Sequence, residues 1–212
     1  MGRHKACGDA ITPRALNELA MLGVDPSALG AHRLAGVRLV HGDREVTAPW
    51  PRHGDLPDHA DALRRDVLDE HLRTRAAESG AIVLMGHQAT APIVERRFVR
   101  GASLSVDPDL DATAARHDTV RARFVVVADG ANSTFGRDLG TTRQRHWPYG
   151  IATRTYFRSD RATESWIESN LGIPDAAGHP VAGYGWVIPL GDGTVNVGVG
   201  VLSTYRDARG IN

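Results

Sequence analysis

The sequence is poor in cysteine and has no excess of charge of either sign. Cys7 is the only cysteine in 212 residues, so no disulfide can form within the chain. Free thiols are typical of reducing compartments, and the expected location is therefore the cytoplasm. The 25 lysine and arginine residues are balanced by 25 aspartate and glutamate residues. Because proteins that bind nucleic acids usually carry a basic surface, this balance argues against a nucleic-acid partner.

Long hydrophobic runs are also missing. The longest apolar stretches, residues 81–85 and 124–128, have the length of a strand and are too short to cross a bilayer. No apolar stretch follows the polar start at Met1-Gly2-Arg3-His4-Lys5, so the sequence shows no signal peptide. Peripheral contact with a membrane through a surface patch stays open. The apolar content of 42% is that of an ordinary globular protein.

The first part of the chain alternates helix and strand signals. Thr12 and Pro13 are residues that favour a helix start, as N-cap and first helical position. A β pair is expected at residues 36–40 and 45–48, on either side of a glycine turn. The spacing of apolar residues predicts a longer helix over residues 60–79.

Two apolar stretches predict buried strands of a layered α/β sheet. Residues 81–85 follow the second helix directly, as expected for an αβ unit. Residues 121–128 contain the consecutive run Phe124 to Val127, which is typical of a strand covered on both faces. Residues 91–106, between them, are expected to form one or two antiparallel strands.

The last third of the sequence predicts an antiparallel sheet. Residues 151–157 have the composition of a strand. Residues 186–190 and 194–201 are expected to pair as a hairpin around Gly191-Asp192-Gly193. A domain boundary is therefore expected near residues 141–149.

Three short segments are candidates for a functional site, and each also has a purely structural interpretation. Lys5-Ala6-Cys7-Gly8-Asp9 is either a turn before a helix or a place where Gly8 lets the backbone approach a planar cofactor. Asp129-Gly130 follows a predicted strand, where ligands bind in open α/β sheets, but an ordinary turn is equally compatible. Tyr184 and Trp186 point the same way on a strand, either as core or as the wall of an apolar cavity.

Other chemistry is not indicated. Residues 53–61 are rich in histidine and aspartate, but their spacing matches no metal signature, so no metal ligand is predicted. Ser133 lacks the Gly-x-Ser-x-Gly context of a hydrolase nucleophile.

Taken in order, the segments resemble the geranylgeranyl reductase family, a branch of the flavoprotein hydroxylase-like superfamily, over nearly the whole chain. The matching motifs are Lys-x-Cys-Gly-Asp followed by Thr-Pro-Arg-Ala, Arg-x-x-Leu-Asp, Ala-Asp-Gly-Ala-x-Ser and Tyr-x-Trp-x-Phe-Pro. Their counterparts are Lys5 to Asp9 with Thr12 to Ala15, Arg65 to Asp69, Ala128 to Ser133, and Tyr184 to Pro189. Ile188 stands where the family usually has phenylalanine, which keeps that position apolar.

The resemblance implies an FAD-dependent reductase that saturates C=C bonds of isoprenoid or prenyl chains, with NAD(P)H or another reductant as electron donor. The implied partner is an isoprenoid or a prenylated lipid substrate. Cys7, Tyr184 and Trp186 are by this resemblance the catalytic candidates that border the prenyl chain near the flavin. The implied cofactor-binding residues are Lys5, Cys7, Gly8, Asp9, Arg65, Asp129 and Gly130.

The fold class implied is α/β. Residues 1–140 would be a partial FAD-binding domain, a Rossmann-like sheet with helices and a β excursion near residues 34–57. Residues 150–212 would be part of an antiparallel β-sheet substrate domain.

One motif of the family is missing from the sequence. The Gly-x-Gly-x-x-Gly loop binds the pyrophosphate of FAD, and Gly191-Asp192-Gly193 and Gly198-Val199-Gly200 both lack its third glycine. We therefore expect this chain to be a fragment that lacks the N-terminal glycine-rich unit and the C-terminal part. Alone, it is expected to bind FAD weakly or not at all, and a complementary chain that supplies the missing segments is a candidate partner.

Two alternative functions stay open at this point. The first is an FAD-dependent monooxygenase or halogenase on the same scaffold. The second is a non-catalytic fragment of a split or truncated flavoenzyme. The Lys-x-Cys-Gly-Asp and Tyr-x-Trp segments favour the reductase over the first alternative.

Overall fold

The computed structural model of the protein describes residues 7–106, 118–142 and 147–204. The α-helices in these ranges are α1 (Pro13–Met21), α2 (Arg65–Glu78) and α3 (Thr134–Asp138). Short 3₁₀-helices lie at Pro26–Leu29 and Asp160–Thr163. The strands are, in chain order, β1 (Ala10–Ile11), β2 (His32–Leu34), β3 (Gly36–His41), β4 (Arg44–Pro49), β5 (Ala60–Ala62), β6 (His87–Glu95), β7 (Phe98–Val106), β8 (Asp118–Arg121), β9 (Gly150–Arg158), β10 (Trp166–Leu171), β11 (Gly183–Pro189) and β12 (Thr194–Leu202).

The chain divides into two compact units, and their junction at residues 147–148 lies within the predicted boundary region 141–149. The first unit combines residues 1–79 with residues 148–212, and the second is residues 80–147. Strands β3 and β4, from the predicted FAD-binding part, lie in one sheet with β9 to β12. The connection is the parallel pairing of β3 with β10, which sets Gly36 opposite Trp166. A pairing between segments so distant in the chain has no local sequence signal.

The first unit contains two sheets. The larger has the strand order β4-β3-β10-β11-β12-β9, and all its neighbours are antiparallel except β3 and β10. The smaller has the order β1-β5-β2 and is antiparallel. Helices together with antiparallel and mixed sheets confirm the predicted α/β class. One core cluster joins the two sheets through Leu34, Ala60, Ala62, Ile167, Trp186, Ile188 and Leu190.

Helix α1 and the two predicted hairpins are confirmed. The Thr12 hydroxyl accepts a hydrogen bond from the Ala15 amide, as an N-cap should, and Pro13 opens the helix. Strands β3 and β4 pair around a two-residue turn, and β11 pairs with β12 around the glycine-rich segment at residues 191–193. In each case a local turn or cap signal in the sequence fixes the element.

The prediction for residues 60–79 was wrong at its start. Residues Ala60–Ala62 form the buried strand β5, paired with both β1 and β2, and the helix begins only at Arg65. The cause lies in distant partners, because strands β1 and β2 pair with residues 60–62, and the Asp9 carboxylate accepts a hydrogen bond from the Arg65 backbone N–H at 3.1 Å where the helix begins. Apolar periodicity within the segment cannot show a cap that lies so far away in the chain.

The two predicted buried strands at residues 81–85 and 121–128 were also wrong. Strand β8 ends at Arg121, and after the Ala122 N–H, which donates to the Arg100 carbonyl of β7, no described strand includes or pairs with residues 123–128 or 81–85. Side chains in both segments are open to solvent: Ile82 is 89% exposed, Phe124 86% and Val126 88%. The composition is that of a covered strand, but a strand also needs a neighbouring strand for its backbone groups, and among the described strands none pairs with residues 81–85 or 123–128.

The second unit is built on the antiparallel sheet β6-β7-β8, which confirms the antiparallel strands predicted for residues 91–106. Its β6–β7 turn holds Arg96 and Arg97 at positive φ. Helix α3 follows the Asp129-Gly130 turn and is capped by Ser133, whose hydroxyl accepts from the Gly136 amide at 2.7 Å. No helix in the described ranges has both the length and the apolar character needed to span a membrane.

An ion-pair network lies beside the large sheet in the first unit. The Arg161 guanidinium binds Glu164 at 2.9 Å and Glu168 at 2.5 Å. Arg38 on β3 reaches Glu164 at 2.8 Å. The hydrogen bond from Arg161 is the main cause that lowers the pKa of Glu164. Burial of Glu168 acts in the opposite direction, but Arg161 and Asn170 outweigh it and lower the pKa of Glu168 as well.

This network predicts that stability is lost in acid. A carboxyl whose pKa is lower in the folded chain stabilises the fold above its unfolded pKa, and the contribution disappears as the pH falls through the folded value. Urea unfolding between pH 7 and about pH 3 should therefore show a decline below about pH 4.5. The variant Glu168→Gln should decline less steeply, whereas Glu78→Gln, at the exposed end of α2, should follow the parent. Equal acid slopes for all three proteins would contradict the assignment.

Candidate functional site

Asp9 stands at the centre of a buried hydrogen-bond network in the first unit. Its side chain is 1% exposed, and its φ of +64° lies in the left-handed region that few residues other than glycine adopt. Oδ2 accepts from the Tyr156 hydroxyl and from the Asn196 amide, both at 2.7 Å, and Oδ1 accepts from the Arg65 backbone N–H. Burial, followed by the bond to Asp9, raises the pKa of Tyr156 above its ordinary value. The carboxylate thus joins the N-terminal segment to α2, β9 and β12.

Asn196, which is fully buried, extends the network. Its Oδ1 accepts from the Trp186 indole N–H at 2.9 Å, and its Nδ2 donates to the Cys7 carbonyl at 2.7 Å. Strands β11 and β12 place the two side chains together. Trp186 lies opposite Gly198, and Asn196 is two residues away from Gly198 on the same face of β12. The network therefore reaches the predicted residues Cys7 and Trp186 through a residue that was not predicted.

Arg65 lies beside Cys7 at the start of α2. Its guanidinium binds the Asp69 carboxylate with an Nη2–Oδ1 distance of 2.6 Å. Partial burial lowers the pKa of Arg65, but Asp69, together with the nearby Cys7 sulfur, outweighs this and raises it. The Cys7 sulfur also accepts a weak hydrogen bond from the Asp9 backbone N–H at 3.4 Å. A fixed positive charge is thus held close to the thiol.

The three predicted catalytic residues line one small cavity of about 250 Å³. Its walls are mainly apolar, and the lining residues are Cys7, Gly8, Ala10, Ile167, Ser169, Tyr184, Trp186 and Ile188. The rings of Tyr184 and Trp186 lie 6.0 Å apart at 51°. Tyr184 is 49% exposed, whereas Trp186 is 9% exposed, so the tyrosine stands at the opening and the tryptophan inside. Such a cavity suits an apolar group that enters from solvent.

Gly8 permits a close approach within this cavity. A Cβ atom at this position would lie 2.8 Å from Cδ1 of Ile188, closer than side-chain atoms tolerate. A larger residue at position 8 would therefore have to displace the end of the Ile188 side chain on β11.

Asp129 and Gly130 lie in the second unit, at a turn with open space around it. The Asp129 carboxylate accepts from the Ser133 hydroxyl at 2.8 Å. Gly130 has a φ of +102°, and no atom lies within 4 Å of the place where its Cβ would stand. A cavity of about 490 Å³ opens beside this turn, lined by Gly130, Ala131, Asn132, Ser133, Gly136, Arg137, Thr141 and Thr142.

The first unit thus brings together most of the predicted site residues: Cys7, Gly8, Asp9, Arg65, Tyr184 and Trp186. Asp129 and Gly130 belong to the second unit, and Lys5 lies outside the described residues. Sequence reasoning missed Asn196 and Tyr156. A signal for Asn196 did exist, because an amide between valines on a strand needs buried hydrogen-bond partners if the strand is covered.

Comparison with known proteins adds a family and several relatives. Residues 5–204 match the family model described as FAD binding domain. The chain is 39% identical over 204 residues to the menaquinone reductase of Mycolicibacterium smegmatis, which covers 96% of this chain and 47% of the relative. It is 36% identical over 143 residues to the digeranylgeranylglycerophospholipid reductase of Methanoculleus marisnigri, which covers 66% of this chain and 32% of the relative. The chain spans about half the length, or less, of these curated relatives.

Solved structures give the same picture of the fold. A geranylgeranyl bacteriochlorophyll reductase-like protein from Thermoplasma acidophilum superposes with a TM-score of 0.74 at 28% identity, over 94% of this chain and 47% of that one. The myxobacterial chondrochloren halogenase superposes with a TM-score of 0.72 at 21% identity, over 98% of this chain and 46% of the halogenase. The second match, at such low identity, shows the fold alone.

Proposed function

The chain belongs to the family of FAD-binding domains, a family of FAD-dependent oxidoreductases, and from this membership we propose that it serves in the saturation of C=C bonds of prenyl chains. Its relatives include reductases of the geranylgeranyl reductase branch, which confirms the resemblance inferred from the sequence motifs. Menaquinone and digeranylgeranylglycerophospholipid, the substrates in the relatives' names, differ in their head groups but share an isoprenoid chain. We therefore take that chain to be the part that the site recognises.

The cavity between Cys7, Tyr184 and Trp186 is the observation that carries the proposal. Its walls are mainly apolar and its opening is marked by the exposed ring of Tyr184. An unsaturated hydrocarbon chain offers no hydrogen-bonding groups, so apolar and aromatic walls are the surfaces that bind it. By excluding water and fixing the double bond against the Trp186 wall, these residues would position the substrate for reduction.

The described residues fit one part of the cofactor. The turn at Gly130 leaves backbone accessible beside a cavity that also presents Arg137 and the hydroxyls of Thr141 and Thr142, groups suited to an anionic, hydroxyl-rich ligand. We propose Asp129 and Gly130, with Arg137, as residues that hold FAD. Reduced flavin supplies the hydride in such enzymes, and NAD(P)H is the proposed electron donor. Arg65 would keep a positive charge beside Cys7.

An anaerobic assay tests the proposal. The protein is purified from the organism that produces it, together with any polypeptides that co-purify. Supplied with FAD and NADPH or dithionite, it should add two hydrogen atoms to a prenyl double bond of menaquinone or a geranylgeranyl lipid, as seen by mass spectrometry. The variant Trp186→Ala should lower kcat/KM about tenfold or more by removing the cavity wall. Trp147→Ala changes a tryptophan that is 72% exposed and should leave the rate unchanged.

The same assay separates the alternative on this scaffold. An FAD-dependent monooxygenase or halogenase would consume oxygen and leave the prenyl chain unsaturated. Oxygen-dependent hydroxylation or halogenation of an aromatic substrate, with no gain of hydrogen in the prenyl chain, would overturn the proposed reductase.

A further inference from the structure

Asn196 connects two lining segments of the cavity. From its place on β12 it accepts the indole N–H of Trp186 and donates to the backbone carbonyl of Cys7. Its amide also donates to the Asp9 carboxylate at 2.7 Å. Three hydrogen bonds from one fully buried side chain thus fix a ring on β11 and the N-terminal segment at residues 7–9 relative to each other.

Each of these bonds has only one chemically acceptable direction. An indole N–H can only donate, and a backbone carbonyl and a carboxylate can only accept. An amide matches this set with its oxygen toward Trp186 and its nitrogen toward Cys7 and Asp9, whereas a carboxylate or a hydroxyl at the same position could not satisfy all three. The residue type is therefore tied to the arrangement of both walls.

Close packing confines the Trp186 ring further. A Cβ atom on Gly198 would lie 2.2 Å from Cζ2 of the indole, so the ring can occupy this position only because residue 198 has no side chain. A Cβ atom on Gly200, two residues along the same strand, would meet Cζ3 of the ring at 3.7 Å, an ordinary contact. The ring is thus held at its N–H edge by a hydrogen bond and along its six-membered ring by β12.

We infer that Asn196 is a positioning residue that holds the Trp186 ring and the Cys7 segment apart at a fixed separation and so sets the shape of the cavity. The inference extends the proposed function, because it gives this cavity its specificity-determining residue. Without the amide, the indole would lose its only hydrogen bond among the described residues and could rotate into the space that the ligand needs.

Indole N–H exchange of Trp186 in the full chain, followed by NMR, tests the positioning directly. In Asn196→Ala this proton should exchange at least about tenfold faster relative to the backbone amides of β11 and β12. Gly198→Ala should speed the exchange as well, although its Cβ atom would also meet the Thr153 carbonyl oxygen of β9 at 2.7 Å and so disturb the backbone amides. Gly200→Ala should leave the exchange unchanged. If Asn196→Ala does not fold, Asn196→Val, which suits a strand and also offers the indole no acceptor, takes its place. If the exchange rate of the Trp186 indole proton rises only as much as the rates of those backbone amides, the inference is overturned, because Asn196 then has a merely structural role.

Calorimetric titration with farnesol, an isoprenoid alcohol, links the positioning to binding. Asn196→Ala and Gly198→Ala should weaken farnesol binding about fivefold to tenfold, and Gly200→Ala should bind as the parent does. Unchanged affinity in the first two variants would overturn the role in specificity. If the parent chain itself binds no farnesol, the proposed substrate class fails, whereas the exchange measurement still decides whether Asn196 positions Trp186.

Discussion

Replacing Asp9 by alanine is expected to lower the free energy of unfolding by about 3 to 5 kcal/mol. The carboxylate is buried and accepts hydrogen bonds from the Tyr156 hydroxyl, the Asn196 amide and the Arg65 backbone N–H. Alanine would take this acceptor from the Tyr156 hydroxyl and the Arg65 N–H and would leave the Asn196 amide only its bond to the Cys7 carbonyl. Each buried donor that loses its partner costs about 1 to 3 kcal/mol. The cap of α2 would be lost as well, and the positive φ at this position is unfavourable for alanine.

Urea unfolding monitored by circular dichroism measures the loss. Asp66→Ala is the matched control, because Asp66 lies in the first turn of the same helix but is exposed, and its change should stay within about 1 kcal/mol. Asp9→Asn keeps the shape of the side chain but turns one acceptor into a donor that faces Tyr156 and Asn196. Its loss of unfolding free energy should therefore lie between those of Asp9→Ala and Asp66→Ala. A loss for Asp9→Ala as small as that of the control would show that the network contributes little to stability.

The dependence of α2 on Asp9 illustrates which parts of the fold the sequence could predict. Helix α1 starts at a local cap, Thr12, and its position was predicted correctly. Helix α2 starts at a cap that comes from 56 residues away in the chain, and its start was predicted too early. Local signals therefore predicted the helix whose cap is the neighbouring residue, and failed for the helix whose first N–H binds a distant residue.

The site shows the same limit in a different way. Motif resemblance predicted Cys7, Tyr184 and Trp186 as neighbours, and the structure brings them to one cavity. Asn196, which links Cys7 to Trp186, belongs to no motif, and its partners are set by the register of β11 against β12. A buried amide is needed by its partners, and those partners are known only once the strands are paired.

Residues 81–85 and 122–128 are the largest difference between expectation and structure. Their composition predicts strands covered on both faces, yet Ile82, Phe124 and Val126 are almost fully exposed and pair with no described strand. Apolar, β-branched segments of this kind are surfaces to which further strands add. We propose that a complementary segment, in a longer parent protein or on a separate chain, pairs here and carries the missing glycine-rich loop.

This proposal leads to a second large expected effect, on the cofactor. The chain expressed alone should emerge from gel filtration without bound flavin, with an affinity for FAD at least about a hundredfold below that of the chain joined to a complementary segment. Two or more charge-assisted hydrogen bonds to the pyrophosphate, each worth about 1.5 to 3 kcal/mol, are missing with the Gly-x-Gly-x-x-Gly loop. The turn at Gly130 and the cavity beside it cannot replace a helix N-terminus directed at the phosphates.

Absorbance in the visible range and isothermal titration with FAD measure this affinity. Added as a separate polypeptide, a strand–loop–helix segment carrying Gly-x-Gly-x-x-Gly should restore flavin binding and protect the amides of residues 123–128 from hydrogen exchange. The same segment with its three glycines replaced by alanine should pair without restoring the flavin, because a Cβ atom at these positions blocks the approach of the pyrophosphate to the backbone. A yellow complex of the chain alone with one FAD per molecule would contradict the prediction, because the described residues would then hold the cofactor without that loop.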